Sequence, residues 1–287
     1  MYRKLCKYEF KSIARTLLPI YLAVLAVSLI SAVTMGLRGV QDGASGLSAL
    51  QKLFGLTQIV STFAYFGVMV ALFVVTTVVI LQRFYKGLLC DEGYLMFTLP
   101  VKPWQLIASK GTAAFVMGIA SGVTACLSIV ILACGSVGPV QFFSSLFDPQ
   151  LWKQLAEGLR EVFPKWGLHI VLYCFEGLML AIVSGMAALF QMYLSMALGH
   201  LANKHRILMS VVAYIVISMA LSFLSGGMII FADATGLDYM LASMTDWVPA
   251  SVSVHAMLWT LLLSQVIKLA VFFFGTERIL SKKLNLE

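Results

Sequence analysis

Two adjacent acids, Asp91 and Glu92, stand in a short charged segment between two long apolar blocks. We call residues 83–102 the island; its sequence is RFYKGLLCDEGYLMFTLPVK. A connection between membrane helices needs only to be short and polar, but this one continues into an apolar patch and a turn at Pro100. A charge among aromatic and apolar anchors suits a small, well-fixed interface. The island is therefore predicted to dock against a partner; the alternative is an ordinary solvated loop.

Two of the apolar blocks carry polar stripes. Each stripe falls within an arc of about 100–120° at about 100° per residue. Polar groups in hydrocarbon need partners, so both faces should turn inward, either to line a translocation path or to bond between helices. One stripe comprises His169, Tyr173, Glu176, Ser184, Gln191 and Ser195, and the other Ser210, Tyr214, Ser218, Ser222 and Ser225. The candidate path residues are Tyr173, Glu176, Gln191, Ser210, Tyr214, Ser218, Ser222 and Ser225.

Glu176 and Lys268 are an acid and a base well inside predicted spans. At 1.5 Å per residue they lie about 14 Å and about 24 Å below the predicted outer edge, so a direct ion pair is not expected. Glu176 should instead be protonated, or hydrogen-bonded to Tyr173 or a neighbouring helix. Because a charge at mid-membrane costs about 3 kcal/mol or more, Glu176 is a candidate functional residue.

Enzyme motifs are missing from the chain. It contains no GxxxxGK[ST] phosphate loop and no HExxH, CxxC or GxSxG pattern, so it is not expected to hold ATP or to catalyse a reaction. The histidines divide between the two predicted membrane faces, which argues against a clustered metal site; they are His169, His200, His205 and His255. No catalytic residue, cofactor or metal site is predicted.

The composition explains these absences. Of 287 residues, 60% are hydrophobic and 11% charged, whereas a soluble domain is about half apolar and about a quarter charged. We predict an all-α polytopic membrane protein. Six blocks reach the roughly 20 apolar residues that a span requires. They form one transmembrane domain, 17–275, with spans at 17–37, 58–81, 106–135, 167–198, 207–232 and 254–275.

Other segments should lie outside the spans. Residues 1–16 repeat basic residues every four positions opposite an apolar face, which predicts an amphipathic interfacial helix or, alternatively, a charge cluster that only sets topology. Asp148 and Pro149 predict the start of a short helix on the outer surface. Residues 276–287 should form a tail. Within the third span, Gly118 and Gly122 form a GxxxG pattern that favours close helix packing.

The distribution of basic residues predicts the orientation. Fourteen Lys and Arg residues fall on one side of this topology and five on the other. The richer side should be cytoplasmic, which places both termini inside. The net charge of +7 then reflects this asymmetry and attraction to anionic membrane lipids, and no nucleic-acid partner is expected.

The island resembles the cytoplasmic signature of ABC-2 type transporter permeases. In that family an arginine leaves the second span, a Glu-Gly follows, and a leucine with a Pro-Val turn leads into the third span. The chain is especially similar to permeases of Gram-positive anaerobes, with Cys90 where a glycine is common. The matching residues are Arg83, Asp91, Glu92, Gly93, Leu95, Leu99, Pro100, Val101, Lys102 and Lys110.

The resemblance implies a mechanism. Two permease subunits, the same or different, would enclose a path, and two separate ATPase subunits, which hold ATP and Mg, would bind below. The island would be the coupling helix: Glu92 the key polar contact, Asp91 its reinforcement, and Pro100 the turn into the third span. Tyr94, Met96 and Phe97 would be the apolar anchors. The ATPase-coupling set is Arg83, Asp91, Glu92, Gly93, Tyr94, Leu95, Met96, Phe97, Leu99 and Pro100.

The expected function is export of an amphipathic, lipid-like, drug or peptide compound across a bacterial plasma membrane. The export direction follows from the resemblance. Two alternatives remain open: a non-transporting immunity or sensor subunit of an ABC complex, and a channel or carrier that works without an ATPase.

Overall fold

Long helices make up almost all of the chain that is described. The computed structural model describes residues 2–41, 48–90, 93, 101–202, 204–236 and 250–282. In these ranges there are eight helices and no strand. They are α1 (Tyr2–Gln41), α2 (Ser48–Leu89), α3 (Pro103–Val137), α4 (Pro139–Leu146), α5 (Pro149–Trp166), α6 (His169–His200), α7 (Arg206–Ala234) and α8 (Ala250–Lys282).

Six of these helices, α1, α2, α3, α6, α7 and α8, are long and apolar enough to cross a membrane. Each coincides with one predicted span, so the all-α polytopic membrane fold is confirmed. Five of the six helices run beyond the predicted span at both ends, because hydropathy marks only the lipid-facing stretch, whereas backbone hydrogen bonding continues into the flanking residues. Helix α6 instead begins at His169, two residues after the predicted start of its span.

Helix α1 differs from the prediction, which separated residues 1–16 from the first span. The structure joins both in one helix of 40 residues that passes through Pro19. Ile13 and Leu17, on either side of the predicted boundary, are both buried in one core. This part of the leader therefore packs its apolar face against protein. The placement of residues 1–16 along the membrane surface stays a prediction.

The chain divides into two compact units. The α1–α3 unit comprises Arg3–Arg83 and Thr112–Arg160. In its core, α1 contributes residues that recur every three or four positions on one face, and α2 and α3 pack against that face. This core consists of Ile13, Leu17, Tyr21 and Val24 of α1, Leu72 of α2, and Ala113, Met117 and Ala125 of α3.

A ladder of hydroxyl groups joins the helices of the α1–α3 unit. The Tyr21 hydroxyl lies 2.7 Å from the Ser121 hydroxyl, which lies 2.9 Å from that of Thr76. Further along, the hydroxyls of Tyr65 and Ser128 lie 3.1 Å apart. Hydrocarbon offers no hydrogen-bond partner, so interhelical bonds of this kind satisfy polar groups that would otherwise be costly.

Close helix packing occurs at a different glycine from the predicted pair. A Cβ atom at Gly118 or Gly122 would meet nothing within 4 Å, so the GxxxG prediction is wrong for contacts within the described chain. A Cβ at Gly135 would instead overlap Ala32 of α1. The spacing of small residues identifies a possible contact face, but the rotation of α3 decides which glycine meets a neighbour.

The α6–α8 unit comprises Phe84–Gly111 and Glu161–Glu287, with the first two residues of the chain. In it, α6 packs against both α7 and α8. Gly199 allows the close approach of α6 to α7, because a Cβ there would overlap the backbone of Ser210. Likewise, a Cβ at Gly275 of α8 would lie 3.1 Å from Leu194 of α6.

The predicted helix start at Asp148 and Pro149 is confirmed. The Asp148 carboxylate accepts a hydrogen bond of 2.9 Å from the backbone N–H of Gln150, and Pro149 is the first residue of α5. The sequence analysis missed α4. Its start also has a proline, Pro139, after Gly138 at φ 92°.

Candidate functional site

Only part of the predicted docking island is described. The described part comprises residues 83–90, 93, 101 and 102, and it includes the predicted coupling residues Arg83 and Gly93. The other predicted coupling residues lie outside the described residues, so their contacts stay predictions. These are Asp91, Glu92, Tyr94, Leu95, Met96, Phe97, Leu99 and Pro100.

The helix segments on either side of the undescribed part of the island are buried in the α6–α8 unit. The side chains at the end of α2 and at the start of α3 are 2% exposed or less; they are Phe84, Leu88, Leu89, Leu106 and Ile107. Phe84 stacks on Tyr193 of α6, with ring centroids 3.9 Å apart and planes 8° from parallel. A force on the island would therefore reach α2, α3 and α6 through side chains that have little room to move.

Gly93 is required by the way the chain leaves α2. Its N–H donates a 2.7 Å hydrogen bond to the Cys90 carbonyl, which turns the chain back onto the helix end. A Cβ at this position would lie 2.5 Å from the carbonyl oxygen of Leu88, a distance that real Cβ atoms do not reach. The glycine that follows the predicted contact residue thus has a steric role of its own.

Two basic residues of the predicted motif are placed near the base of the island. Lys110 is buried at 4% exposure, and its Nζ lies over Gly87, where a Cβ would come within 2.5 Å of it. In the other unit, the Nε of Arg83 lies 3.9 Å from a carboxylate oxygen of Glu9. That distance is too long for a hydrogen bond but short enough for charge attraction. Sequence reasoning had not identified Glu9.

Residues of the first polar stripe contact two neighbouring helices, α8 and α7. Near the start of α6, His169, Tyr173 and Glu176 occupy one helix face and meet α8. Further along, the Gln191 side chain donates a 2.8 Å hydrogen bond to the Ser218 hydroxyl of α7. The prediction that this stripe turns toward neighbouring helices is therefore met at both ends, by two different helices.

Glu176 lies at the centre of a cluster between α6 and α8. Its two carboxylate oxygens lie 3.0 and 2.8 Å from the Nδ1 of His255. The indole N–H of Trp259 donates to one of them at 3.0 Å. The Nε2 of His255 lies 3.0 Å from the Nδ1 of His169. We call Glu176, His255 and His169 the relay cluster.

Tyr173 and Ser251 lie next to the relay cluster and connect α6 to α8. The Tyr173 hydroxyl donates to the Ser251 carbonyl at 2.9 Å, and its ring centroid lies 4.4 Å from that of His255. Glu176 thus bonds to a neighbouring helix, one of the arrangements expected for it. The basic side chain that Glu176 contacts is His255, which forms an ion pair with it only when protonated. Sequence reasoning did not pair His169 with His255.

The second polar stripe is only partly turned inward. Ser210 is buried, but Ser222 and Ser225 are exposed and donate to carbonyls of their own helix, at Ser218 and Ser222. Tyr214, Ser218 and Ser222 line an open groove of about 470 Å³ together with Ile215, Met219 and Phe223. Within the described residues, the second stripe therefore meets the first at Ser218, while Ser222 and Ser225 stay on the exposed face of α7.

The comparisons with known proteins identify no relative. No protein-family model, curated protein or solved structure matches this chain. The resemblance of the island to ABC-2 permeases consequently rests on its sequence, and the docking role stays a prediction.

Proposed function

We propose that this chain is a membrane-spanning permease subunit of an ABC transporter, driven by separate ATPase subunits that dock on the island. The observation that carries the proposal is the island's sequence pattern, located between the second and third of six spans. The burial of side chains at the end of α2 and the start of α3 supports it, since a docking segment must transmit displacement to the helices it joins. We place the protein in a bacterial plasma membrane, with the island and both termini in the cytoplasm.

The described contacts support a route for coupling. ATP-driven closure of the ATPases would displace the island. Phe84 would pass that displacement to Tyr193, because their stacked rings are both buried and cannot separate without opening a cavity. Tyr193 lies on α6, the helix that packs on both α7 and α8. Movement at the island would in this way reach the helices that carry the polar stripes.

The exposed polar face of α7 supports a second permease subunit, the same or different, as a further component. In a single chain, the groove at Tyr214, Ser218 and Ser222 would face lipid. A second subunit would enclose it, and the mixture of hydroxyl, thioether and aromatic groups suits an amphipathic compound. Export is the direction implied by the resemblance.

Coexpression tests the docking step. The chain is purified together with the ATPase encoded beside its gene, identified by a Walker motif. Glu92→Ala and Glu92→Arg should abolish copurification and the ATPase activity that the permease stimulates. Glu157→Ala, an exposed acid on α5, is the matched control and should change neither. Assembly that survives both Glu92 changes and deletion of residues 94–98 would refute docking through the island.

A second candidate is a sensor or immunity subunit that uses an ATPase without moving a substrate. The observation that favours it is the second stripe, in which Ser222 and Ser225 are exposed and donate to carbonyls of their own helix. ATP-driven movement of a fluorescent amphiphile in proteoliposomes separates the two functions. Transport that Glu176→Gln and Ser218→Ala reduce supports a permease, whereas ATP hydrolysis without transport supports a sensor. Transport without any ATPase would favour a channel or carrier.

A further inference from the structure

The relay cluster joins two short polar faces at one end of α6 and α8. On α6, His169, Tyr173 and Glu176 recur every three or four residues, and on α8 Ser251, His255 and Trp259 recur every four. His169 is the first residue of α6, and Glu176 lies about 10 Å further along that helix at 1.5 Å per residue. The cluster therefore leads from a helix end into the membrane.

The hydrogen-bond geometry limits where protons can be. An ionised Glu176 accepts from the Trp259 indole and from the Nδ1–H of His255. One proton must then lie between the Nε2 of His255 and the Nδ1 of His169, because a bond between two ring nitrogens needs one donor and one acceptor. That proton can belong to either ring.

The two positions of this proton correspond to two charge states. If it belongs to His169, both rings are neutral and the cluster has a net charge of −1. If it belongs to His255, that ring is an imidazolium, and a neutral His169 has its proton on Nε2. Going from the first state to the second adds one proton at His169 Nε2, while the Nδ1 proton of His169 moves to His255. Every hydrogen bond of the cluster persists in both states.

We propose that Glu176, His255 and His169 form a proton-binding site that takes up a single proton at His169 and neutralises the charge of the cluster. Uptake would remove an uncompensated negative charge, which is costly in a membrane. Glu176 and His255 are shielded, with side chains 11% and 18% exposed. Histidine is also the side chain that ordinarily exchanges protons near neutral pH.

Tyr173, on α6, is a further titratable group at the site. Tyr173 contacts the His255 ring. On α7, which also packs on α6, the charged side chains are Arg206 and Asp233 at its two ends. Asp238 and Asp246 lie outside the described residues. Among the described residues, no group of three His, Cys, Asp or Glu side chains is placed to hold a metal ion, so the geometry favours a proton as the ligand.

Nuclear magnetic resonance of the full chain in lipid nanodiscs tests the proposal, with histidine isotopically labelled at Cε1. Between about pH 5 and about pH 9, the signals of His169 and His255 should change together. Both should be half changed at the same pH, which we call the midpoint. Glu176→Gln removes the carboxylate that stabilises an imidazolium. The His255 midpoint should then fall by about one pH unit or more, equivalent to about tenfold weaker proton binding.

Glu277→Gln is the matched control, because it makes the same change in α8 far along the helix from His255, and it should leave the midpoint in place. Independent titration of His169 and His255, or an unchanged midpoint in Glu176→Gln, would overturn the proposal. If Glu176→Gln fails to fold, His169→Gln replaces it. Loss of the outer ring should then move the His255 midpoint, and an unmoved midpoint would refute the relay.

Discussion

Replacing Gly135 by alanine should separate α1 from α3 and destabilise the α1–α3 unit. The added Cβ would overlap the Cα, the Cβ and the carbonyl oxygen of Ala32. Carbon atoms pack best at about 3.5–4.0 Å, so the two helices would have to move apart by about 1 Å. The backbone of a helix cannot rotate out of the way as a long side chain would.

The magnitude follows from two opposing effects. Overpacking of this kind costs about 1–3 kcal/mol. Alanine also favours the helix over glycine by about 1 kcal/mol. Gly122→Ala, on the same helix, isolates the second effect, because its Cβ would meet nothing within 4 Å. The difference between the two variants is thus the clash alone, about 1–3 kcal/mol.

Thermal unfolding followed by far-UV circular dichroism, at several scan rates, measures this difference. At about 2–4 °C per kcal/mol, the Gly135→Ala variant should unfold about 2–12 °C below Gly122→Ala. Ala32→Gly in the Gly135→Ala background should rescue only part of the loss, since the carbonyl oxygen and Cα of residue 32 remain in the way. Equal unfolding temperatures for the two single variants would refute the packing argument.

Three further changes test other contacts. Tyr21→Phe removes a hydroxyl bonded to α3 and should cost about 1–2 kcal/mol in chemical unfolding, whereas Tyr8→Phe, at a residue 73% exposed, should cost nothing measurable. Phe84→Ala should leave a cavity beneath the island and lower the free energy of unfolding by about 3–5 kcal/mol, against little change for Phe63→Ala, at a residue 75% exposed. Asp148→Ala removes the cap of α5 and should weaken its first turn by about 0.5–2 kcal/mol, measured as faster amide hydrogen exchange there with the rest of the chain unaffected.

The six spans were predictable because their cause is local. Each needs a long apolar run, and a run of that length has no other stable environment than a bilayer. The division of α1 at residue 16 was less predictable. Basic residues mark where a helix leaves lipid, but they do not end it, and even Pro19 is accommodated within α1. The sequence pattern indicates where polarity changes along α1, but it does not indicate where the helix ends.

The relay cluster shows why contacts between spans are harder to predict. Glu176 and His255 are 79 residues apart, and no periodicity within one helix points to the other. Depth does not point to the pair either. At 1.5 Å per residue, His255 lies about 2 Å inside the predicted last span and Glu176 about 14 Å inside the fourth, so the argument that excluded Lys268 would also have excluded His255. Only the packing of α6 on α8 places the two side chains in contact.

The docking of an ATPase and the binding of a proton are physically separate events, and this makes a coupling between them measurable. Glu92→Ala should abolish ATPase assembly and leave the His255 midpoint of the isolated chain unchanged, because the island and the relay cluster share no described contact. Coupling through α6 would appear only in the complex, as a midpoint that moves when ATP binds. Linkage then requires that a change of pH alter the ATP affinity of the complex by the matching factor. Suppose that ATP shifts the midpoint pH of His255 but that the ATP affinity of the complex does not change with pH. This result would violate the reciprocity and show that the two measurements report different states of the protein.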